Sequence, residues 1–420
     1  MARLSSFARN LTAESAFTVL AIARALTAQG KDVIELEIGD SPFPSTPNAK
    51  RAGIRAIDDN ETAYCPSVGL PEFRAAAARL VSAEFEYSVT AENIVVASGA
   101  KPFEQFFAEA VLDPGDGVLV FSPQFPTYLP NIERRGARGV LAPLKVENEF
   151  RPSAEDVRHF IATDPRPRAI FLNSPHNPTG GVATCEDLAA IAQIVRGTEI
   201  MVFSDEPYCH MVWSGRHASI LAEPGMLEHT VAAYTFSKSY SMSGWRIGFA
   251  VAPLDIVDGI GKLINTTASC SPPFVQRAAQ AALEHDTQMR DDYMQRFHRK
   301  VDRLCDGLER VDGFRIVRPA GTFYVFPDAR MVCNRLQITS HGLALYLLEG
   351  ADDHLGVACL GGECFGDAGS GFLRFSCAEP DDRIDQAVAF LPEAIDRGDR
   401  VRRYLELNPQ YVLEQSYLIG

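Results

Sequence analysis

Six short apolar runs rich in β-branched residues alternate with stretches of helical periodicity: Ile94 to Ala97, Gly117 to Phe121, Ala169 to Leu172, Ile200 to Ser204, Val231 to Phe236 and Ile247 to Val251. Strands that take turns with helices predict an α/β sheet, mostly parallel, with helices on its faces. Upstream, Val19, Leu20, Ile22, Ala23 and Leu26 recur at helical spacing between Ser15 and Gln29, and Gly30 stops the pattern, which predicts an amphipathic helix. Beyond about residue 285 the rhythm changes. A long charged helix over Met289 to Leu308 leads to a strand pair around Phe314 to Phe326, another helix, and a strand at Phe372 to Ser376. That is the pattern of a second, smaller α+β lobe, and 420 residues are more than one hydrophobic core usually serves. The tail from Asp399 to Gly420 reads as a terminal helix followed by a loose end or a surface for a neighbour.

Charge narrows the partners. Forty Lys and Arg against 54 Asp and Glu leave a net charge of −14, with no basic run long enough to follow a phosphate backbone. Nucleic acid and anionic membrane are excluded on that ground, and any anionic ligand needs a local pocket of Lys or Arg. The nine cysteines form no C-x-x-C pair and several lie inside apolar runs, which predicts reduced thiols and a cytoplasmic location. The first residues hold no continuous apolar stretch and nowhere do eighteen apolar residues run together, so neither a signal peptide nor a membrane span is expected. No metal is expected.

In an open α/β sheet, reactive groups gather beyond the carboxyl ends of the strands. Four unusual groups stand there. Ser98-Gly99-Ala100-Lys101 follows one strand and opens a helix, so small residues let backbone N–H groups approach an anion at a helix start. Asn173-Ser174-Pro175-His176-Asn177-Pro178-Thr179-Gly180 follows another, and its two prolines stiffen a loop that holds the amides of Asn173 and Asn177. Asp205 closes a third strand with Tyr208 three residues on, and a carboxylate there needs a cationic or hydrogen-bonding partner. Thr235-Phe236-Ser237-Lys238 closes a fourth, with Ser243-Gly244-Trp245-Arg246 shortly after. Singly each is an ordinary turn. Together they supply an amine for a Schiff base, an acid for a pyridinium nitrogen, donors for a phenolate oxygen and a phosphate cradle, which is what pyridoxal 5'-phosphate requires.

The strings Asn-Ser-Pro-His-Asn-Pro-Thr-Gly, Ser-Asp-Glu-Pro-Tyr, Ser-Lys-Ser-Tyr-Ser-Met-Ser-Gly-Trp-Arg-Ile-Gly and Phe-Leu-Arg-Phe-Ser are similar to those of the fold-type I, class I/II aminotransferases. The resemblance runs from Ile34 to about Arg397. It implies a seven-stranded sheet in a large domain over 45–285, and a small domain built from both termini, with 1–44 and 286–397 contributing and 398–420 as an extension. It makes Lys238 the Schiff-base lysine, Asp205 the partner of the ring nitrogen, and Asn177 and Tyr208 donors to the ring oxygen. Gly99, Ala100, Lys101, Thr235, Ser237 and Arg246 then hold the phosphate, Phe125 stacks on the ring, and Tyr64 reaches the phosphate of a neighbouring subunit in a homodimer. Arg374 grips the substrate α-carboxylate, helped by the backbone of Gly39 and by Asn177.

The implied activity is ping-pong transfer of an amino group between an L-amino acid and a 2-oxo acid, with 2-oxoglutarate and glutamate as one pair. A lyase, cyclase or oxidase on the same scaffold is the alternative, because the cofactor alone does not fix which Cα bond breaks. Lys101 suits either the phosphate turn or the distal carboxylate of an acidic substrate. Phe17, Phe43 and Phe125 suit an apolar or aromatic side chain, or simply the core. Where relatives often carry Pro-Gly-x-x-Phe-Gly at the substrate entrance, this chain has Leu360-Gly361-Gly362-Glu363-Cys364-Phe365-Gly366. Gly321 to Tyr324 matches a further substrate-facing stretch.

Overall fold

Seven strands form the central sheet of the computed structural model, which describes residues 3–11 and 14–419. Residues 1, 2, 12, 13 and 420, which fall within the expected terminal segments 1–44 and 398–420, lie outside the described residues. Across the sheet the strands run Ile94–Ala97, Gly248–Val251, Thr230–Thr235, Met201–Asp205, Pro167–Asn173, Gly117–Ser122 and Arg138–Pro143. All neighbours are parallel except Gly248–Val251, which is antiparallel to both of its partners. Side chains alternate between two apolar layers. Val118 and Val120 join Phe107, Phe171 and Phe203 on one face, while Leu119 and Phe121 join the opposite cluster. The rings of Phe107, Phe171 and Phe203 meet at centroid distances of 4.9–5.5 Å, and each fully buried ring is worth about 1.5–3 kcal/mol of transfer free energy.

Six of the seven strands are those the sequence pattern predicts, within one or two residues at either end. The seventh, Arg138–Pro143, escapes it because it is an edge strand, mostly exposed, whose apolar run is only Val140, Leu141 and Ala142 before a proline. Arg138 and Gly139 there break the apolar rhythm on which a sequence reading relies.

The smaller lobe joins distant parts of the chain. Asp32–Glu35 pairs in parallel with Leu355–Ala358, in register from Asp32 opposite Leu355. Leu373–Ser376 pairs antiparallel with Leu360–Gly361 and with Tyr324–Val325. The strand pair foreseen around Phe314 to Phe326 is reduced to the two residues Tyr324–Val325 and a single bridge between Arg315 and Asp328. Gly313, Pro319 and Gly321 interrupt the intervening chain, and proline cannot donate to a ladder. Instead of one helix before Phe372 there are two, Arg330–Leu336 and Ser340–Glu349. The C-terminal tail packs on its own lobe. After the helix Gly398–Leu407, Leu413 N–H donates to the Gln337 carbonyl, Asn334 Nδ2 to the Tyr417 carbonyl, and Tyr417 hydroxyl to Glu363 Oε1. Among the described residues no helix is long and apolar enough to cross a membrane.

One buried polar knot fixes the strand ends on which the site is built. Glu206, 1% exposed, accepts hydrogen bonds from Ser204 Oγ, Ser219 Oγ and Tyr234 hydroxyl at 2.7–2.8 Å, and His217 Nε2 lies 2.7 Å from it. Removing a shared buried acceptor strands every donor around it. Glu206→Ala should therefore lower the unfolding free energy by about 3–5 kcal/mol in urea titrations, whereas a loss below about 1 kcal/mol would show that the knot is not a stabilising element.

Candidate active site

A cavity of about 500 Å³ opens beyond the carboxyl ends of the parallel strands and is roofed by the small lobe. Among its acids is the buried Asp205, the last residue of Met201–Asp205. Tyr128 hydroxyl donates to Asp205 Oδ2 at 2.6 Å. Burial raises the Asp205 carboxyl above its ordinary range, and the Tyr128 hydrogen bond and the charges of Lys101 and Lys238 oppose that rise. On the adjacent strand Asn173 stands opposite Asp205. It donates from Nδ2 to the Asp205 backbone carbonyl at 2.8 Å and accepts from Asn177 N–H at 2.9 Å. His176, pushed down to about 3 by burial, stays neutral and lies 2.7 Å from Thr179 Oγ1 inside the stiff loop.

Lys238 follows Thr230–Thr235 and spans the two lobes. Its Nζ donates to the Gly39 carbonyl at 2.6 Å and lies 5.8 and 5.6 Å from the ring centroids of Tyr208 and Phe323. Gly39 has no room for a side chain, since a Cβ there would lie 1.8 Å from the Tyr324 hydroxyl oxygen.

The turn before helix Lys101–Val111 is built for close approach. Gly99 has a φ of +96°, and a Cβ on it would meet Arg246 Nη2 at 2.7 Å. A Cβ on Gly248 would lie 3.0 Å from the Ala100 nitrogen, so the turn sits directly on that strand. Arg246 donates from Nη1 to the Ser243 carbonyl at 2.8 Å and from Nη2 to the Ser98 carbonyl at 3.0 Å. Thr235 and Ser237 face the same corner, their hydroxyl oxygens 3.0 Å apart. Hydroxyls, an arginine and a helix start thus converge as an anion cradle.

Arg374 comes from the small lobe on Leu373–Ser376. Its guanidinium lies 4.2 Å from the Tyr324 ring centroid and 4.9 Å from that of Phe365, which fixes its plane. Nη1 donates to Asn177 Oδ1 at 3.0 Å and Nη2 to the Glu37 carbonyl at 2.5 Å, while the buried Nε has no acceptor. The Tyr208 and Tyr324 hydroxyls are 3.2 Å apart.

Of the residues singled out in the sequence, Gly39, Ala100, Lys101, Phe125, Asn177, Asp205, Tyr208, Thr235, Ser237, Lys238, Arg246 and Arg374 all line this one cavity. Gly99 stands behind it against Arg246. Tyr64 does not line it and is 88% exposed. Phe17 and Phe125 line it, while Phe43 is a core residue stacked on Tyr293. Sequence reasoning missed Glu14, Asp40, Glu104 and Tyr128. Tyr128 lies three residues beyond Phe125, its one signal, and Glu104 carried none, because an acid in the first turn of a helix is ordinary. Glu104 is buried, with its carboxyl raised by burial and by the nearby Asp205, and accepts from Thr127 and from Asn131 Nδ2.

An amine, a buried acid, an anion cradle and an arginine thus line one cavity, and this set of residues fits pyridoxal phosphate. The family described as aminotransferase class I and II matches residues 31–391. The chain is 35% identical over 399 residues to a probable aspartate/prephenate aminotransferase of Aquifex aeolicus, covering 94% of this chain and 98% of that one. It superposes on the aspartate aminotransferase of Thermus thermophilus solved with maleate with a TM-score of 0.86 at 30% identity, covering 94% of this chain and all of the other. An aromatic aminotransferase of Pyrococcus horikoshii gives a TM-score of 0.79 at 31% identity, covering 93% and 99%. The chain belongs to the class I and II aminotransferases. It is a pyridoxal phosphate-dependent transaminase, and its substrates are an amino acid and a 2-oxo acid.

Glu37 sits behind Arg374, wholly buried, and neither of its carboxylate oxygens meets a donor from another residue. Burial raises it from 4.5 to about 7, against the smaller opposing pull of Arg374. A carboxyl raised in the folded state adds stability that is complete below pH 4.5 and lost as the pH rises through about 7. At about 1.4 kcal/mol per pH unit the full loss is about 3 kcal/mol. Urea midpoints at pH 5 and pH 8 should therefore show Glu37→Gln gaining on the wild type by about that amount as the pH rises. A difference between the two proteins that stays constant with pH would contradict the assignment.

Proposed function

We propose that this transaminase uses glutamate and 2-oxoglutarate as one of its two substrate pairs, and takes as the other an amino acid with a different side chain. The observation that carries this reading is the convergence on one cavity of Lys238, Asp205, Arg374 and a further cation, Lys101. Two relatives bear names with aspartate and one bears a name with aromatic, which supports both kinds of side chain.

When bound, pyridoxal phosphate supplies an aldehyde that takes up amino groups and a pyridinium ring that draws electrons from the substrate Cα. Ala100 and Lys101 through their backbone N–H groups, and Thr235, Ser237 and Arg246 through their side chains, hold its phosphate at the turn beginning with Gly99, which leaves the Lys101 ammonium to the substrate side chain. Phe125 covers the ring, Asn177 and Tyr208 donate to its oxygen, and Asp205 keeps its nitrogen protonated. Arg374 takes the substrate α-carboxylate, with its unpaired Nε and one Nη forming the planar fork such a group needs, and with Gly39 and Asn177 beside it. Lys238 leaves the Gly39 carbonyl and removes the proton from the substrate Cα as a general base. The two lobes shut out water around that proton.

The same reading divides the chain into 45–285 as the cofactor-binding part, 1–44 with 286–397 as the substrate-closing part, and 398–420 as an extension. It also makes the working unit a homodimer. Tyr64 is a large, exposed aromatic with nothing to do in one chain, and Tyr64 of the partner subunit would complete the phosphate site. A cytoplasmic location accords with nine free cysteines.

Holoenzyme mixed with L-glutamate should release one 2-oxoglutarate per active site, and a second 2-oxo acid should reverse the change. Release of ammonia or peroxide instead would overturn the reading in favour of a lyase or oxidase. Lys238→Ala should cut turnover by at least about 10³-fold while leaving the urea midpoint unchanged. Substantial multiple turnover by that variant would remove Lys238 from its role.

A further inference from the structure

Four cations line the cavity, and they are held in two different ways. Lys238 donates to the Gly39 carbonyl, Arg246 to the Ser98 and Ser243 carbonyls, and Arg374 to the Asn177 side chain and the Glu37 carbonyl. Neutral oxygens leave their charge available to an anionic ligand. Of these four, Lys101 alone has a carboxylate as ion-pair partner among the described residues, that of Glu14. The pair joins the residue before the helix Ser15–Ala28 to the first residue of Lys101–Val111, and both residues line the cavity. The Lys101 ammonium also lies 5.1 Å from the Phe125 ring centroid, so it faces the space a substrate side chain would enter.

Glu14 occupies the N-cap position of its helix, yet its side chain makes no capping hydrogen bond. A carboxylate at a helix start is favoured there by the unpaired N–H groups and the helix dipole. Glu14 therefore has a second partner waiting if Lys101 is taken from it, which lowers the cost of exchange. The other buried acid beside Lys101, Glu104, is occupied by Thr127 and Asn131 and is not free to exchange.

We propose that Glu14 is a specificity-determining residue: its carboxylate stands at Lys101 in place of a substrate's distal carboxylate, yields that position to dicarboxylic substrates, and keeps Lys101 neutralised when the side chain is uncharged. A ping-pong transaminase must admit two different side chains to one pocket in turn, and an internal counter-ion that swaps in and out meets that need without a second pocket. The inference rests on the proposed function, in which Lys101 faces the side-chain end.

The test is Glu14→Gln in the holoenzyme, with two readouts. In calorimetric titration with succinate, an unreactive dicarboxylate, the variant should bind about fivefold more tightly than the wild type, and the gain should vanish when Lys101→Gln is added. In stopped-flow mixing, the ratio of kcat/KM for L-aspartate over L-phenylalanine should rise by a similar factor, mainly through the aspartate KM. A change under twofold in succinate affinity, a gain that survives Lys101→Gln, or no succinate binding by either protein would overturn the role of Glu14. Succinate binding that responds as expected in an enzyme that transfers no amino group would instead overturn the proposed function and leave the Lys101–Glu14 exchange standing.

Discussion

The hydrogen bond from Lys238 Nζ to the Gly39 carbonyl is where the two lobes meet over the chemistry. Lys238 is delivered by the end of a central strand, Gly39 by the segment that follows the short strand Asp32–Glu35 of the smaller lobe. For the amine to reach that carbonyl, a parallel sheet must place its carboxyl ends at one edge, and a sheet made from residues about 320 positions apart must hold the lobe above it. The absence of a side chain on Gly39 lets Tyr324 close in from the other side. Packing of the apolar layers thus sets the position of a single nitrogen.

Burial makes that position chemically useful. Asp205, Glu104 and Glu37 all sit where water cannot solvate a carboxylate, and each is raised above its ordinary range. Asp205 is returned part of the way by Tyr128 and by the lysines it faces, so its charge depends on what occupies the cavity. Backbone carbonyls hold three of the four cations, Lys238, Arg246 and Arg374. A cavity lined by four cations, three of them held by neutral oxygens, is suited to anionic ligands, despite a chain that carries a net charge of −14.

Much of this was legible in the residues alone, and the reason differs from place to place. Lys238 and Asp205 announce themselves because each stands at or just beyond the end of an apolar run, where a polar group has a function or a cost, and Asn177 because two prolines stiffen the loop that carries it. Arg374 was legible only through the string Phe-Leu-Arg-Phe-Ser, since an arginine in a strand has no periodic signature. Tyr128 and Glu104 were invisible for the opposite reason: a tyrosine opening a short helix and a glutamate in the first turn of another are ordinary, and only the folded chain brings the phenol to Asp205. Glu14 belongs to the same class, its meaning supplied by a lysine 87 positions away. Likewise the edge strand Arg138–Pro143 and the pairing of Asp32–Glu35 with Leu355–Ala358 depend on neighbours distant in sequence, which periodicity cannot report.

The central claim is that one amine, at position 238, carries the cofactor. Cofactor-saturated enzyme reduced with borohydride, digested and mapped by mass spectrometry tests it most directly. The label should lie on the peptide containing Lys238 at one equivalent per chain. A label on another lysine, or none in saturated enzyme, would contradict the account.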